Sequence, residues 1–137
     1  MSAVRHTTSL TDLSKRAKKY TLSVQIKKIG NKFRELVIIQ LMGKISGLDQ
    51  MYLKEDIMKI MSGKQHTVFI FDMNVCDYIS SEVIGYFVSL HNLCEKTDNQ
   101  FHIVGINQKF NKIIHSVGLQ EIISVKDSEQ SVLDSLT

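Results

Sequence analysis

The sequence has no proline, only two cysteines and no long apolar run. Without proline the chain lacks one source of sharp breaks in its helices and strands, although this absence says nothing about function. No apolar stretch approaches the roughly 20 residues that a membrane-spanning helix needs, so the sequence predicts no membrane span. The first 20 residues are polar and basic, without the apolar core of a signal peptide, which favours a cytoplasmic protein.

The motifs that carry enzymatic chemistry are also missing from the sequence. Neither GxGxxG nor GxxxxGK[ST] is present, so no loop of the usual kind cradles a pyrophosphate. A serine at position 81 lacks a surrounding G-x-S-x-G and an identifiable base. We therefore expect no enzyme, no catalytic residue, no metal and no cofactor. The histidines are scattered without metal-ligand spacing: His6, His66, His91, His102 and His115.

What is present fits one globular domain. The 137 residues include 43% hydrophobic and 23% charged residues, which are ordinary values for a folded domain of this size. Cys76 and Cys94 are too few for a disulfide framework, and each lies in an apolar segment. We expect two buried thiols in a reducing cytosol.

The net charge of +3 conceals an asymmetry along the chain. The first 34 residues have one acid, Asp12, whereas the rest of the chain is acidic by five charges. We expect a flexible, solvated basic tail over residues 1–19, with contact to a polyanion or a partner as the alternative. Interleaved aromatics and DNA-binding motifs are absent, so direct binding of nucleic acid is not expected. The basic residues of this segment are Arg5, Lys15, Arg16, Lys18, Lys19, Lys27, Lys28, Lys32 and Arg34.

Periodicity predicts an α/β domain over residues 20–137. Alternating apolar residues at 20–27 indicate a half-buried strand, and Gly30-Asn31 suits a hairpin turn into a nearly continuous aliphatic strand. Strands then alternate with amphipathic helices, which implies a mostly parallel sheet of four to five strands with an antiparallel N-terminal edge strand. The further strands are predicted at 36–41, 68–71, 101–104 and 122–125, and about four helices at 48–61, 81–95, 110–117 and 128–136, with a loop at 73–79.

Ser80 and Ser81 stand where the chain leaves a buried strand and begins the second predicted helix. The first turn of a helix exposes unpaired N–H groups and partial positive charge, so a phosphate on either serine would be well accommodated. The simpler alternative is that one of the two serines only caps the helix.

This stretch resembles the signature of the STAS family, the sulfate-transporter and anti-sigma-factor-antagonist domains. Its members typically have an acid closing the third strand, then a hydrophobic pair and D-S-[ST]-G or S-S-A-G. Here Asp72, Tyr78-Ile79 and Ser80-Ser81 take these places. Downstream, residues 103–106 end a strand, and 110–119 resemble the "v.r.l…tGL" helix end of the family. The resemblance covers about residues 20–136 and implies the STAS fold.

The resemblance implies a function in partner switching. In bacterial anti-sigma factor antagonists, the first serine of the motif is phosphorylated by the anti-sigma factor, a serine kinase, and a serine phosphatase reverses this step. By position that serine is Ser81, so the unmodified protein would bind the kinase and the phosphorylated one would release it. The partner-binding residues implied in this way are Lys44, Ser46, Tyr78, Ser80, Ser81 and Glu82.

Three features depart from the family pattern. Ser80 takes the place of the motif's acid, as in the S-S-A-G form. Glu82 and Val83 replace the small residue and the glycine that follow the phosphoacceptor, and Gly43-Lys44-Ile45-Ser46 stands where G-E-L-D is frequent. A carboxylate beside Ser81 disfavours an added phosphate, and Val83 is bulky where glycine allows close approach. Two alternatives therefore stay open: a phosphorylation-independent interaction module in which Glu82 supplies a permanent charge, and a regulatory subunit acting in trans on a membrane transporter. The sequence does not indicate an oligomeric state.

Overall fold

The computed structural model describes residues 3–8, 19–29 and 33–136. Seven strands form one mixed sheet in the order β1-β2-β3-β4-β6-β7, with β5 paired to β3. The β2–β3 pair is antiparallel as predicted, and the strands from β3 onward are parallel. The Gly30-Asn31 turn lies outside the described residues. The strands are β1 (Ala3–Thr8), β2 (Tyr20–Lys28), β3 (Glu35–Ile45), β4 (Thr67–Asp72), β5 (Cys76–Ile79), β6 (Gln100–Val104) and β7 (Ser124–Lys126).

Within the described residues, four α-helices connect or follow the strands, as the sequence predicted. Gly118, predicted to stop the third helix, has a φ of 75° in the left-handed region. The hydroxyl of Ser128 caps the last helix by accepting the Ser131 N–H at 3.2 Å, which was also predicted. The helices are α1 (Gln50–Met61), α2 (Ser81–Lys96), α3 (Gln108–Ser116) and α4 (Glu129–Ser135), with a 3₁₀ turn at Gly47–Asp49 before α1.

Two of the seven strands differ from the sequence-based expectation. The sequence predicted no element in residues 1–19, yet β1 pairs antiparallel with β2. Its residues show no alternation of apolar side chains, so the free edge of β2 supplies the reason for a strand there. The loop predicted at 73–79 contains β5, a strand of four residues. The division of the chain at residue 20 stays a prediction.

The sheet has an inner face and an outer face with different coverage. On the inner face, α1, α2 and α3 pack on side chains such as Ile39, Phe69 and Phe71. On the outer face, Val132 and Leu136 at the C-terminal end pack on a smaller apolar set that includes Ile38 and Ile70. Each of these three helices directly follows a parallel strand in the chain, so its N-terminus lies at the carboxyl ends of the strands.

Candidate functional site

Ser80 and Ser81 have different environments at the start of α2. Ser80 is 6% exposed, and its Oγ accepts the N–H of Val83 at 3.4 Å, so it is the N-cap of the helix. Its own N–H donates to the carbonyl of Ile45 at 3.0 Å. Ser81 is the first residue of α2 and is exposed. The structure thus makes Ser80 the cap, as one alternative had it, and leaves the Ser81 side chain at the surface.

A bulge in the pairing of β3 with β5, with Asp77 of β5 as the extra residue, holds the serine pair in this place. The pairing of β3 with β5 shifts register between Gly43 and Lys44. Gly43 has a φ of 93°, and a Cβ there would lie 2.4 Å from the Lys19 carbonyl oxygen, so only glycine fits. Beyond this bulge, Ile45 pairs with Ile79 and accepts the N–H of Ser80. The end of β3 therefore fixes where α2 begins.

The bulge also brings Lys44 and Tyr78 together. They are register partners on β3 and β5, and both are exposed. Ser46 follows at the end of β3, where its N–H and Oγ lie 3.3 and 3.1 Å from the buried carboxylate of Asp49. This places Ser46 at the start of the 3₁₀ turn, the usual position of a capping residue.

Glu82 connects the start of α2 to the turn before α1. A Cβ added to Gly47 would lie 3.0 Å from Oε2 of Glu82, so the carboxylate lies directly against the backbone of the turn. The side-chain amide of Gln50 donates to the backbone carbonyl of Glu82 at 3.3 Å. The six residues named from the sequence thus lie on adjoining elements, around the carboxyl ends of β3 and β5.

Val83 does not obstruct this surface, although the sequence raised that concern. Its side chain is fully buried in the inner core, and its N–H bonds to Ser80. Gly85, one turn after Ser81, is exposed, with no atom within 4 Å of a Cβ built on it. The small residue exposed on the first two turns of α2 is therefore Gly85, whereas position 83 belongs to the core.

Two exposed apolar side chains beside the serine pair were missed by the sequence analysis. Leu48 in the 3₁₀ turn is 78% exposed, and Met51 in the first turn of α1 is 69% exposed. Together with Tyr78 they give an apolar area next to the N-terminus of α2. Helical spacing in the sequence could have identified Met51 as exposed. It falls on the polar side of α1, away from the buried Leu53 and Ile57.

The thiol nearest to this region, Cys76, is buried. Burial raises the pKa of Cys76 to about 11, so the thiol is protonated at neutral pH. Cys94 is buried as well, and burial raises its pKa to about 12. Both are free cysteines with side chains in the core, in agreement with the predicted burial.

The described residues contain no group of three or more His, Cys, Asp or Glu side chains that could hold a metal ion. Within the same residues, no helix is both long and apolar enough to span a bilayer.

The family model of the STAS domain matches residues 23–132. The chain belongs to the STAS domain family. This range begins within β2 and contains β3 to β7 and the whole candidate site, so the STAS assignment covers the elements that position Ser81. Among curated proteins, none matches the sequence significantly.

Solved structures share the STAS fold at low sequence identity. An anti-sigma factor antagonist from Mycobacterium paratuberculosis is 14% identical with a TM-score of 0.69, covering 85% of this chain and 92% of that one. The phosphorylated Bacillus cell fate determinant SpoIIAA is 14% identical with a TM-score of 0.53, covering 83% and 99%. The murine anion transporter Slc26a9 is 13% identical with a TM-score of 0.63, covering 88% of this chain and 22% of that one. At these identities the likeness shows the fold.

Proposed function

We propose that this STAS domain is a non-enzymatic anti-sigma factor antagonist of the cytoplasm that works by partner switching. In its unmodified form it binds an anti-sigma serine kinase through the surface around the start of α2. Phosphorylation of Ser81 by that kinase breaks the complex, and a serine phosphatase restores it. The structural neighbour from Mycobacterium paratuberculosis, which is named as an anti-sigma factor antagonist, supports this proposal through its fold.

The observation that carries the proposal is the difference between the two serines. Ser80 is buried and its Oγ is engaged by the Val83 N–H, so a kinase has no access to it in the folded protein. Ser81 is exposed in the first turn of α2, where unpaired N–H groups and the helix dipole favour a phosphate. Of the pair, only Ser81 combines access with a favourable electrostatic position.

The surroundings of Ser81 explain how a phosphate would act as a switch. Leu48 and Met51 are highly exposed apolar side chains, and burying them would stabilise a complex. A phosphate on Ser81 adds a charge of about −2 beside them. Burying that charge in the same interface costs several kcal/mol unless the partner neutralises it. The same surface therefore favours binding when Ser81 is unmodified and opposes it when Ser81 is phosphorylated.

The test is affinity purification of the tagged full chain from its source cells, comparing wild type with Ser81→Asp. We expect the wild type to retain an ATP-binding serine kinase and the variant to lose it. Intact-mass measurement after incubation with that kinase and ATP should show a gain of about 80 Da, absent in Ser81→Ala. Ser62→Asp is the matched control, since it adds the same charge to an exposed serine at the other end of α1.

Two results would count against this function. One is a partner that binds wild type, Ser81→Asp and Ser62→Asp equally. The other is a purified kinase partner that adds no phosphate to the wild-type chain. A Leu48→Ser variant separates the two parts of the proposal, because it should weaken the complex without changing Ser81.

A second candidate is a phosphorylation-independent interaction module, favoured by the position of Glu82. Its carboxylate lies against Gly47 and gives the surface a permanent negative charge beside Ser81. That charge repels an added phosphate. In this case Ser81→Ala leaves partner affinity unchanged, whereas Glu82→Gln changes it. Equal affinity of Glu82→Gln and wild type would exclude the module.

A third candidate is a regulatory subunit that acts in trans on a membrane transporter. It rests on the shared fold with part of Slc26a9, which is described as an anion transporter. Co-purification of the tagged chain with an integral membrane protein, in place of a kinase, would support it. Recovery of the chain without any membrane protein would contradict it.

A further inference from the structure

A basic cavity opens at the end of the sheet opposite Ser81. It has a volume of about 450 Å³ and lies where β3 and β4 begin. Three cationic side chains from separate segments line it: Lys28 from the end of β2, Arg34 just before β3, and Lys64 from the loop after α1. Three cations along one exposed helix face would only form an ordinary solvated surface. In this protein the three cations come from separate segments, and the fold brings them together around a concavity.

One acid accompanies these cations. Glu35 lines the cavity, and its carboxylate pairs with the ammonium group of Lys64. Lys28 and Arg34 are exposed and form no ion pair with any residue in the described part of the chain. The lining therefore carries two positive charges without a compensating carboxylate.

The backbone that carries these side chains is held firmly. Asn99 is buried, its Oδ1 accepts the N–H of Thr67 at 2.9 Å, and its Nδ2 donates to the carbonyl of Lys64 at 3.0 Å. The N–H of Arg34 donates to the carbonyl of His66 at 2.6 Å. The two walls of the cavity are thus tied to each other before any ligand arrives, which lowers the entropic cost of binding.

We propose that this cavity binds a phosphate-bearing anion, either a free phosphate compound or the headgroup of an anionic lipid. A guanidinium group and an ammonium group facing one concavity match the oxygens of a phosphate. The volume falls within the range of small-molecule sites and leaves room for an organic group attached to the phosphate.

The site is independent of the proposed function at Ser81. β3 starts at the basic cavity and ends beside Ser80, and its 11 residues span roughly 35 Å. A ligand in the cavity would therefore not touch the Ser81 surface. Substitutions at one end can be tested without disturbing the other, so failure of either proposal leaves the other standing.

The first experiment is a titration of the ¹⁵N-labelled full chain with inorganic phosphate and with pyrophosphate at low ionic strength. We expect saturable amide shifts at Gly63, Gln65 and neighbouring residues, and none around Ser81. The double variant Lys28→Ala/Arg34→Ala should weaken binding by more than about tenfold, because it removes both unpaired cations. Lys109→Ala/Lys112→Ala removes two exposed positive charges from α3, as many as the double variant removes, and should bind like wild type.

Glu35→Gln distinguishes the site from general damage to the fold. It frees Lys64 from its ion pair and raises the charge of the cavity by one, so binding should tighten severalfold. A variant that merely perturbed the structure would bind more weakly. Unchanged affinity in both the double variant and Glu35→Gln would overturn the proposal, as would shifts centred elsewhere.

Vesicles separate the two sources of the phosphate group. Sedimentation with phosphatidylglycerol vesicles, compared with phosphatidylcholine vesicles, tests the lipid headgroup. Binding to the anionic vesicles that Lys28→Ala/Arg34→Ala abolishes supports a lipid ligand. Binding of the soluble phosphates without vesicle binding supports a free phosphate compound. If neither the vesicles nor the soluble phosphates bind, the proposal is wrong.

Discussion

The two faces of the sheet are covered to different degrees. The inner face carries three helices and a continuous core in which Phe71 packs edge-on against Phe87 and Phe101, at centroid distances of 5.5 and 4.9 Å. The outer face is covered by α4, a helix of seven residues. Next to α4 the outer face is polar, with a cavity of about 170 Å³ lined by Gln25, Gln40 and Asp72 among others.

This difference indicates which face of the sheet contributes most to stability. The inner core fixes the helices whose N-termini form the candidate site. The outer face holds a buried polar group, His102, whose ring nitrogens lie 2.6 Å from Ser124 Oγ and 2.8 Å from Gln100 Oε1. The site itself lies on neither face, at the strand ends where the inner helices begin. Four predictions test this comparison.

Phe71→Ala should have the largest effect, a loss of about 3–5 kcal/mol in the free energy of unfolding. It leaves a cavity among Phe87 and Phe101 that these rings cannot fill without moving. Val132→Ala, at the outer face, should cost only about 1–2 kcal/mol. Urea denaturation measures both. Equal losses at the two positions would contradict the difference between the faces.

His102 should make the outer face sensitive to acid. Burial and the nearby charge of Lys126 lower its pKa from 6.5 to about 4, so the folded state favours the neutral ring. The contribution of the neutral His102 ring to the free energy of unfolding is complete above pH 6.5 and is lost as the pH falls towards 4. The loss amounts to about 3 kcal/mol.

The measurement is the free energy of unfolding as a function of pH. His102→Gln, which cannot titrate, should be less stable at neutral pH and should lose less stability between pH 6.5 and 4. A slope equal to that of the wild type in this interval would mean that other groups control the acid response.

Two helix caps allow a comparison of one hydrogen bond beside the inner core, at Ser80, with one on the outer face, at Ser128. Ser80→Ala should cost about 1 kcal/mol, since it removes the bond to the Val83 N–H inside the protein. Ser128→Ala removes the same kind of bond from exposed α4 and should cost less, about 0.5 kcal/mol, because water can replace it. Thermal unfolding of both variants checks the order, and Ser81→Ala serves as the control at a position that is not a cap.

Tyr86→Phe should have the smallest effect and the opposite sign. The Tyr86 hydroxyl lies buried in the inner layer without a hydrogen-bond partner among the described residues. Removing it should leave stability unchanged or raise it by up to about 1 kcal/mol. A clear loss of stability would show that the hydroxyl has a partner in solution, such as a buried water.

Local patterns predicted the elements that have a period of their own. Alternation gave β2, aliphatic runs gave β3, β4 and β6, and helical spacing gave α1 to α3, because each of these segments buries one face or both faces against the sheet. Glycine and serine chemistry placed the end of α3 at Gly118 and the cap of α4 at Ser128.

β1 and β5 could not be predicted in this way. β5 has four residues, Cys76–Ile79, of which only the first and last are buried. It is a strand because β3 continues past the end of its pairing with β4 at Gln40 and offers a free edge there. β1 likewise depends on the edge of β2. Both strands are products of pairing between segments, which no pattern within the segment records.

The amino-acid sequence by itself determined the class of fold and the place of the serine pair at the start of a helix, since periodicity and capping chemistry act over a few neighbouring residues. Only the tertiary structure decided that Ser80 is buried and Ser81 exposed, that Val83 belongs to the core, and that Leu48 and Met51 lie beside them. These facts depend on how the end of β3 meets α2. The same holds for the basic cavity, whose cations come from segments that are joined only by the pairing of strands.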